Sequence, residues 1–420
     1  MKGKQLALIL VLLVALGGIA LFLEHRNSAI WSNTATTSND KILNFELNDV
    51  SKATIKDSGA ELNLVKIEDV WRVKERVDYP ADFDKISSLL RKLWELRPVQ
   101  DVKIGPSQLG RLQLTEPGPG SSTGILIDLK GAGDKRLAAL LLGKKYLKNP
   151  DQPASEGGGI AVGRYVMGQD GSNRAFLVSD TFDEIQSKPE QWLNRNFVKV
   201  ENPKSIAVVG TTAGVNWKVS RDAATAPWKL MDAKPGEELD NAKAAGVATL
   251  FASASFADVL PPDASVADTG LDNPSTIRIE TFDNFVYELQ VGKLMGENYP
   301  ILVSVTAELP QERTPPADEK PEDKVKLDQE FQTKKKQLTD KLATEQKLGI
   351  WPYLVPKATI DQLLKERASL MAKKEPVPSP TAGAFPASPK AMPPPKSPVA
   401  TPRPAVSRAS PSRSPAKRPK

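Results

Sequence analysis

VWRVKERVDYPADFDKISSLLRKLWEL, residues 70–96, decides how the rest of the chain is read. Trp71 and Val73 alternate with charged neighbours, the pattern of a strand with one buried face. Pro80-Ala81-Asp82 then supplies a proline and an acid suited to the first turn of a helix. Phe83, Ile86, Leu90 and Leu93 follow at helical spacing on one face. The segment is therefore read as a Trp-bearing strand running into an amphipathic helix.

The motif returns. Trp71-Arg72-Val73 is matched by Trp228-Lys229-Leu230, an offset of 157 residues, and the same offset aligns Leu93-Trp94 with Leu250-Phe251, Asp101-Val102 with Asp258-Val259, Leu114 with Leu271 and Pro117 with Pro274. Several anchor points at one offset are the signature of an internal repeat. Small gaps extend it: Ala53–Ile55 and Leu62–Leu64 resemble Ile206–Val209 and Val215–Val219, and Leu142-Gly143-Lys144 resembles Val291-Gly292-Lys293. Each copy reads as a β-meander ending in the Trp strand, one amphipathic helix, and a second set of strands. In copy two Asp240 caps the helix. The later strands are Ile125–Leu129 and Leu137–Leu142, against Ile277–Thr281 and Phe285–Val291. A last hairpin and helix close the unit: Arg164–Met167, Ala175–Val178 and helix Thr181–Gln186 in copy one. In copy two Ile301–Val305 pairs with Pro352–Val355 and helix Thr359–Leu370 follows.

Between those two strands lies Ala307–Ile350, rich in Lys, Glu, Asp and Gln. It is read as a charged helical insertion at a hairpin tip, helical from about Asp323 to Leu348. Leu327, Phe331, Leu338 and Leu342 form a narrow apolar stripe, and Lys334 and Lys341 interrupt a coiled-coil heptad. A solvated arm that the fold does not need and a docking arm for a partner both remain open. Trp71 and Trp228 are expected in the core, as large apolar side chains on strands. Trp192 and Trp351 are expected near the contact between copies.

At the N-terminus Leu6–Leu23 is an uncharged run after Lys2 and Lys4. As a helix it spans roughly 27 Å, close to the hydrocarbon core of a bilayer. It is read as an uncleaved signal-anchor, with a cleaved signal peptide as the alternative. The charge bias puts the N-terminus in the cytoplasm and the bulk of the chain outside it, which is the topology of a single-pass protein of the cell's inner (cytoplasmic) membrane. The C-terminal stretch Pro376–Lys420 has no acid and eight basic residues (Lys390, Lys396, Arg403, Arg408, Arg413, Lys417, Arg418 and Lys420) among many prolines. It is expected to be disordered. Taking those eight from the net +6 leaves −2, so no basic folded domain and no nucleic-acid partner are expected.

The chemistry is narrow. The chain has no Cys and one His, His25, beside the apolar run. Thiolate chemistry, a Ser-His-Asp triad and His- or Cys-based metal sites in the globular part are excluded by inventory. Gly120-Ser121-Ser122-Thr123-Gly124 fits G-x-S-x-G but precedes a strand and has no base to serve it. Gly131-Ala132-Gly133 and Gly157-Gly158-Gly159 lack the P-loop context. Ser414-Pro415-Ala416-Lys417 matches S-x-x-K, but in the tail. Asp180, Asp183 and Glu184 are read as acids of a helix first turn.

Val70–Val73, Tyr79-Pro80-Ala81-Asp82 and Ile86–Leu96 together resemble the repeat of the bacterial domain-of-unknown-function family four-three-four-zero, over roughly Ile42–Met371. The resemblance implies a membrane-anchored exported protein, often found near gliding-motility-type ABC transporter components. It supplies no catalytic residue. Copy two departs from it, with Gly236-Glu237-Glu238-Leu239 in place of Tyr79-Pro80-Ala81-Asp82.

The expected protein is thus α+β: an anchor (1–26), a stalk (27–41), repeat domain 1 (42–197), repeat domain 2 (198–371) with the insertion 307–350, and a tail (372–420). Two antiparallel-sheet-plus-helix domains stand in tandem. It is expected to be a non-catalytic, envelope-facing adaptor with a protein partner in a membrane complex. The alternative is a binding module for an envelope glycan or lipid, with the tail attracting an anionic polymer. No catalytic, cofactor-binding or metal-ligating residue is assigned, and no cofactor is expected.

Overall fold

In the computed structural model, Trp71 and Val73 lie on strand β3 (Val70–Val73) with their side chains buried, and Asp82 caps helix α1 (Phe83–Glu95) by accepting from the Lys85 amide at 3.1 Å. The structure describes residues 40–118, 123–148, 159–212, 214–315 and 319–372. The expected anchor, the stalk up to residue 39, Gly120–Ser122, Gly157-Gly158 and the tail from residue 373 lie outside the described residues. Among the described residues no helix is long and apolar enough to cross a membrane.

The fold is mixed α and β, built on two antiparallel sheets. The first comprises β1 (Lys52–Lys56), β2 (Glu61–Ile67), β3, β4 (Tyr79–Pro80), β5 (Gln100–Val102), β6 (Ile125–Lys130), β7 (Arg136–Lys148), β8 (Ile160–Gly168) and β9 (Ala175–Val178). Its order is β4-β3-β2-β1-β6-β7-β8-β9-β5. The second comprises β10 (Pro203–Val209), β11 (Asn216–Ser220), β12 (Lys229–Leu230), β13 (Asp258–Val259), β14 (Ser275–Thr281), β15 (Phe285–Val291), β16 (Asn298–Ala307) and β17 (Tyr353–Pro356). Its order is β12-β11-β10-β14-β15-β16-β17-β13, the same path with the counterpart of β4 missing. β16 does pair with the distant β17, but the ladder runs from Asn298↔Pro356 to Ile301↔Tyr353, so Ile301 is the one residue of the expected Ile301–Val305 in it.

Both sheets bury one face in one continuous apolar core, to which the first contributes Ile55, Leu64 and Ile127 and the second Val208, Ile277 and Leu289. A smaller cluster of Leu112, Leu114, Leu141, Met167 and Ala175 covers the opposite face of the first sheet. The repeated Gly143 and Gly292 have one steric reason. A Cβ on Gly143 would sit 2.4 Å from the Leu112 carbonyl oxygen, and one on Gly292 would sit 2.2 Å from that of Thr269. In each repeat the crossing segment rests directly on strand backbone, which only glycine permits.

Helix α1 buries Ile86, Leu89, Leu90 and Leu93. Phe83 departs from the expected apolar face: it is 63% exposed, because helical side chains lean toward the N-terminus and the first position overhangs the sheet. In the second repeat Asp240 caps α2 (Asn241–Ala248), accepting from the Ala242 and Lys243 amides. Helix α3 (Val266–Thr269) is a single turn. No helix forms over Thr181–Gln186. Asp180 instead accepts from the Phe182 amide at 2.7 Å, and Phe182 turns left-handed at φ 51°, a local bond that competes with helix formation. The buried Arg164 guanidinium holds this turn by donating to the carbonyls of Gly143 (2.8 Å), Thr181 (3.2 Å) and Phe182 (3.4 Å). Helix Thr359–Leu370 is likewise shorter than expected, α5 (Lys357–Leu363) followed by a 3-10 turn at Arg367–Leu370.

The insertion departs most. Its helix α4 (Pro321–Gln346) does not stand free: Leu338 and Leu342 pack on the core, and Glu345 is 5% exposed. The Glu345 carboxylate accepts from the Tyr287 hydroxyl at 2.8 Å and the Lys199 amide at 3.0 Å. Lys341 donates to the Lys199 carbonyl at 2.7 Å and pairs with Glu201 at 3.2 Å. The narrow apolar stripe is therefore a packing seam, and the solvated-arm reading does not hold for its C-terminal half.

Candidate functional site

The position that distinguishes the two copies in sequence is where the two sheets meet. After β3 the chain makes a 3-10 turn, Lys74–Arg76, and then two left-handed residues, Val77 (φ 52°) and Asp78 (φ 60°). This turn presents Arg76 and Tyr79 to the second sheet. Arg76 Nε donates to Asp258 Oδ1 and Nη2 to Asp258 Oδ2, each at 2.7 Å, a two-pronged pair on β13. Glu190 adds a longer contact at 3.7 Å. The hydrogen bonds it donates to Asp258 hold the Arg76 guanidinium above its usual range.

Tyr79 enters an aromatic nest. Its ring lies edge-on to Trp351 at 5.0 Å, Phe256 at 6.1 Å and Tyr353 at 6.2 Å. Phe197, from the connection between repeats, packs on Tyr353 at 4.9 Å and Phe256 at 5.5 Å. Such pairs contribute about 0.5–1.5 kcal/mol each beyond the area they bury. Burial pushes the Tyr79 phenol up to about 12, and burial also raises the fully enclosed Tyr353. Arg195 closes the rim, donating to the carbonyls of Phe256 (2.7 Å) and Ala257 (3.0 Å). The joint is a buried aromatic contact fenced by two arginines, and among the described residues it holds no nucleophile–base pair. Among the described residues no group of three or more His, Asp or Glu could hold a metal ion.

Beside α1 a cleft of about 550 Å³ is floored by Leu89, Ile185 and Trp192, with Lys85, Ser88, Lys92 and Glu184 at its rim. Its lysines are occupied. Lys85 donates to the Gln191 carbonyl at 2.7 Å, a clamp that Lys243 repeats on the Met371 carbonyl at 2.8 Å. Lys92 bridges Asp180 and Glu184, and Lys145 pairs with Asp183, so these acids serve ion pairs where a helix start was expected.

The two tryptophans of the repeat are each 5% exposed and belong to the core. Trp351 does lie at the joint, whereas Trp192 stays within repeat 1, its indole donating to the Gln186 carbonyl at 2.9 Å. Gly124, at the end of the G-x-S-x-G match, lies tight against the carbonyls of Gln113 and Leu142, as a packed glycine preceding β6. The Ser414–Lys417 match lies outside the described residues. Sequence reasoning did not single out Arg76, Arg195, Phe256 or Tyr353. The 157-residue offset aligns Asp258 with Asp101, but Asp258 pairs with Leu354 and Asp101 with Phe176, one residue apart in the two sheets, so the offset carried no signal for the joint.

A family model described as Domain of unknown function (DUF4340) matches residues 71–274, from Trp71 through the joint residues Arg76, Tyr79, Phe256 and Asp258. No curated protein and no solved structure matches the chain.

Proposed function

We propose, for a chain whose residues 71–274 belong to the DUF4340 family, a membrane-anchored, envelope-facing adaptor that works by binding protein and catalyses no reaction. On this reading the chain is an internally duplicated pair of domains, 42–197 and 198–371, held at an inner membrane by Leu6–Leu23 with the bulk of the chain outside the cytoplasm. A place beside an ABC-type transporter follows from the family resemblance alone. The observation that carries the reading is the joint. Two sheets of the same strand order are locked by the Arg76–Asp258 pair and five aromatic rings, an investment in rigidity and surface with no reactive group at its centre.

The test is co-purification of the full chain from solubilised membranes. A stoichiometric protein partner is expected, and a reporter active only outside the cytoplasm, fused after Met371, should be active. Recovery of the chain alone, with bound glycan or lipid, would favour the second reading, an envelope-polymer binding module. The eight cations without an anion in Pro376–Lys420 support that reading. It also predicts binding that weakens with salt, since exposed charges are screened within ~8 Å at physiological ionic strength.

A further inference from the structure

Repeat 1 carries an element that repeat 2 lacks. The Leu142↔Val166 pair of the first sheet matches Val291↔Ile301 of the second, through the shared Leu142-Gly143 and Val291-Gly292. From Val291 the second sheet turns back at once, closing on the Met295↔Asn298 bridge. From Leu142 the first runs on as a two-stranded arm, with Lys145↔Arg164, Tyr146↔Gly163, Leu147↔Ala161 and Lys148↔Ile160 in register. The neighbouring strands stop at its base, β6 with Ile125↔Leu142 and β9 with Val178↔Arg164.

The arm exposes apolar side chains: Ile160 is 59% exposed, and Tyr146 and Val162 43% each. Alternation puts Tyr146, Lys148 and Ile160 on one face, where Tyr146 meets Tyr165 edge-on at 6.0 Å. Lys144 and Lys148 are exposed and form no ion pair among the described residues, while Lys145 is held by Asp183. A tyrosine and branched aliphatics between free lysines suit the headgroup level of a bilayer, where aromatic rings gather and anionic lipid attracts cations. Unpaired strand edges exclude greater depth, because their backbone groups must keep their water.

The chain enters the folded region at this same end of the sheet. The Ile42 amide donates to the Leu96 carbonyl at 3.0 Å, and Leu96 leads into β5, whose Gln100 pairs with Leu177 beside Tyr165 at the arm's base. Residues 24–39 separate this entry from the apolar run Leu6–Leu23, at most roughly 55 Å of extended chain. From this placement we infer that the arm of repeat 1 rests in the headgroup layer of an anionic membrane, with Tyr146, Ile160 and Val162 as apolar contacts and Lys144 and Lys148 as cations, and fixes how the chain stands on its anchor. The inference rests on the membrane-anchor reading of Leu6–Leu23.

The chain has no cysteine, so a single introduced cysteine takes the only label. Full chains carrying Ile160→Cys are labelled with an environment-sensitive dye and reconstituted into vesicles of phosphatidylglycerol and phosphatidylcholine. The comparison chain carries Val70→Cys, an equally accessible site on the β2–β3 turn at the opposite end of the sheet. A nitroxide held on the lipid at headgroup depth should quench the Ile160 label and leave the Val70 label untouched. Adding Lys144→Gln and Lys148→Gln should abolish the quenching, since two cations at an anionic surface shift the equilibrium by about thirty-fold. An unquenched Ile160 label overturns the assignment, and so does equal quenching at both sites, which would lay the whole domain on the bilayer. Self-quenching at Ile160 that grows with chain density overturns it by making the occupant a second copy. Shielding of Ile160 found only in native membranes overturns it by making the occupant a protein. Alkaline carbonate separates this inference from the reading beneath it. A chain retained in the vesicles with its Ile160 label in water removes only the arm, and a chain stripped from them after quenching at Ile160 removes only the anchor.

Discussion

The turn after β3 and the turn after β12 occupy equivalent places in two sheets of the same order, yet one joins and the other closes. In repeat 1 the turn sends Tyr79 and Arg76 into the neighbouring sheet. In repeat 2 the place of Tyr79 falls to Glu237, fixed by two equivalences: the bridges Ala81↔Leu193 and Leu239↔Met371, and the helix caps Asp82 and Asp240. Glu237 turns inward to its own chain. Arg367 donates to it at 2.7 Å and to the Asp232 carbonyl at 2.7 Å, and this arginine holds the Glu237 carboxyl down to about 2. Terminal units of repeat arrays carry polar outer faces because nothing stacks on them. An aromatic residue at this place extends the array, and a self-paired acid ends it.

A second contrast lies on the inner faces. Helix α1 has 13 residues and α2 only 8, about 20 Å against 12 Å of cover. The rest of the second face, around Tyr287, is covered by the C-terminal half of α4. The largest expected effect follows from this. Replacing Gln311–Leu348 with a short Gly-Asn turn should destabilise the folded region by about 4 kcal/mol or more. It uncovers the partly buried Leu338 and Leu342, at about 0.8 kcal/mol per buried CH2, and leaves the Tyr287 hydroxyl only its longer bond to the Lys199 carbonyl at 3.4 Å. Chemical denaturation measures it, and an unchanged midpoint would return α4 to the status of a dispensable arm.

Next come the shared tryptophans. Trp71→Ala and Trp228→Ala should each cost about 3–5 kcal/mol. Because both lie in one continuous core, each variant should lower a single transition. Two separate transitions, each moved by its own tryptophan, would show that the repeats melt independently and that the joint is weak. Smaller again is the contrast of the turns themselves. Tyr79→Ala should cost about 3 kcal/mol by emptying the nest, and Glu237→Ala, which breaks only the pair with Arg367, should lower the denaturation midpoint by less. Equal effects at the two sites would abolish the distinction between a joining and a closing turn.

These contrasts also mark how far the residues could be read. Strand positions, the duplicated tryptophans, the Asp240 cap and the distant pairing of β16 with β17 follow from alternation, offset and capping chemistry, which act locally or repeat visibly. The joint does not, because Arg76 and Asp258 lie 182 residues apart and neither belongs to an apolar pattern. The seating of α4 was hidden by its composition. A stripe of Leu338 and Leu342 among lysines and acids has the look of a solvated helix, and only the shortness of α2, a tertiary fact, creates the face it covers. Helix Thr181–Gln186 failed because Asp180 offers the backbone a competing bond, and of the Gly-rich motifs the described Gly124 is a packing position and Gly133 a left-handed turn position.

The smallest expected effect tests the seating of α4 through a proton. Burial pushes the Glu345 carboxyl above its ordinary 4.5, against the hydrogen bonds it accepts from the Lys199 amide and the Tyr287 hydroxyl. In the window just above 4.5 the folded chain therefore keeps a proton that the unfolded chain has released. The native state binds more protons there, so this residue's contribution to stability is full below 4.5 and is lost as pH rises through the raised value. Glu345→Gln cannot titrate: its amide oxygen still accepts from the Lys199 amide, and its NH2 donates to the Tyr287 hydroxyl, which keeps the Lys199 carbonyl at 3.4 Å as its own acceptor. Lys341, which lies 3.9 Å from Glu345, retains Glu201 at 3.2 Å, so the substitution strands no charge. At pH 7 the variant should match or exceed wild type by up to about 1 kcal/mol, the scale of one net hydrogen bond. Between pH 4.5 and 7 the wild-type Tm should fall relative to that of the variant, and the difference between the two proteins isolates this group from every other carboxylate. A wild-type Tm that rises relative to the variant over that window would mean a carboxyl held below its ordinary value, exposed to water or newly paired, and α4 would not be seated on Tyr287.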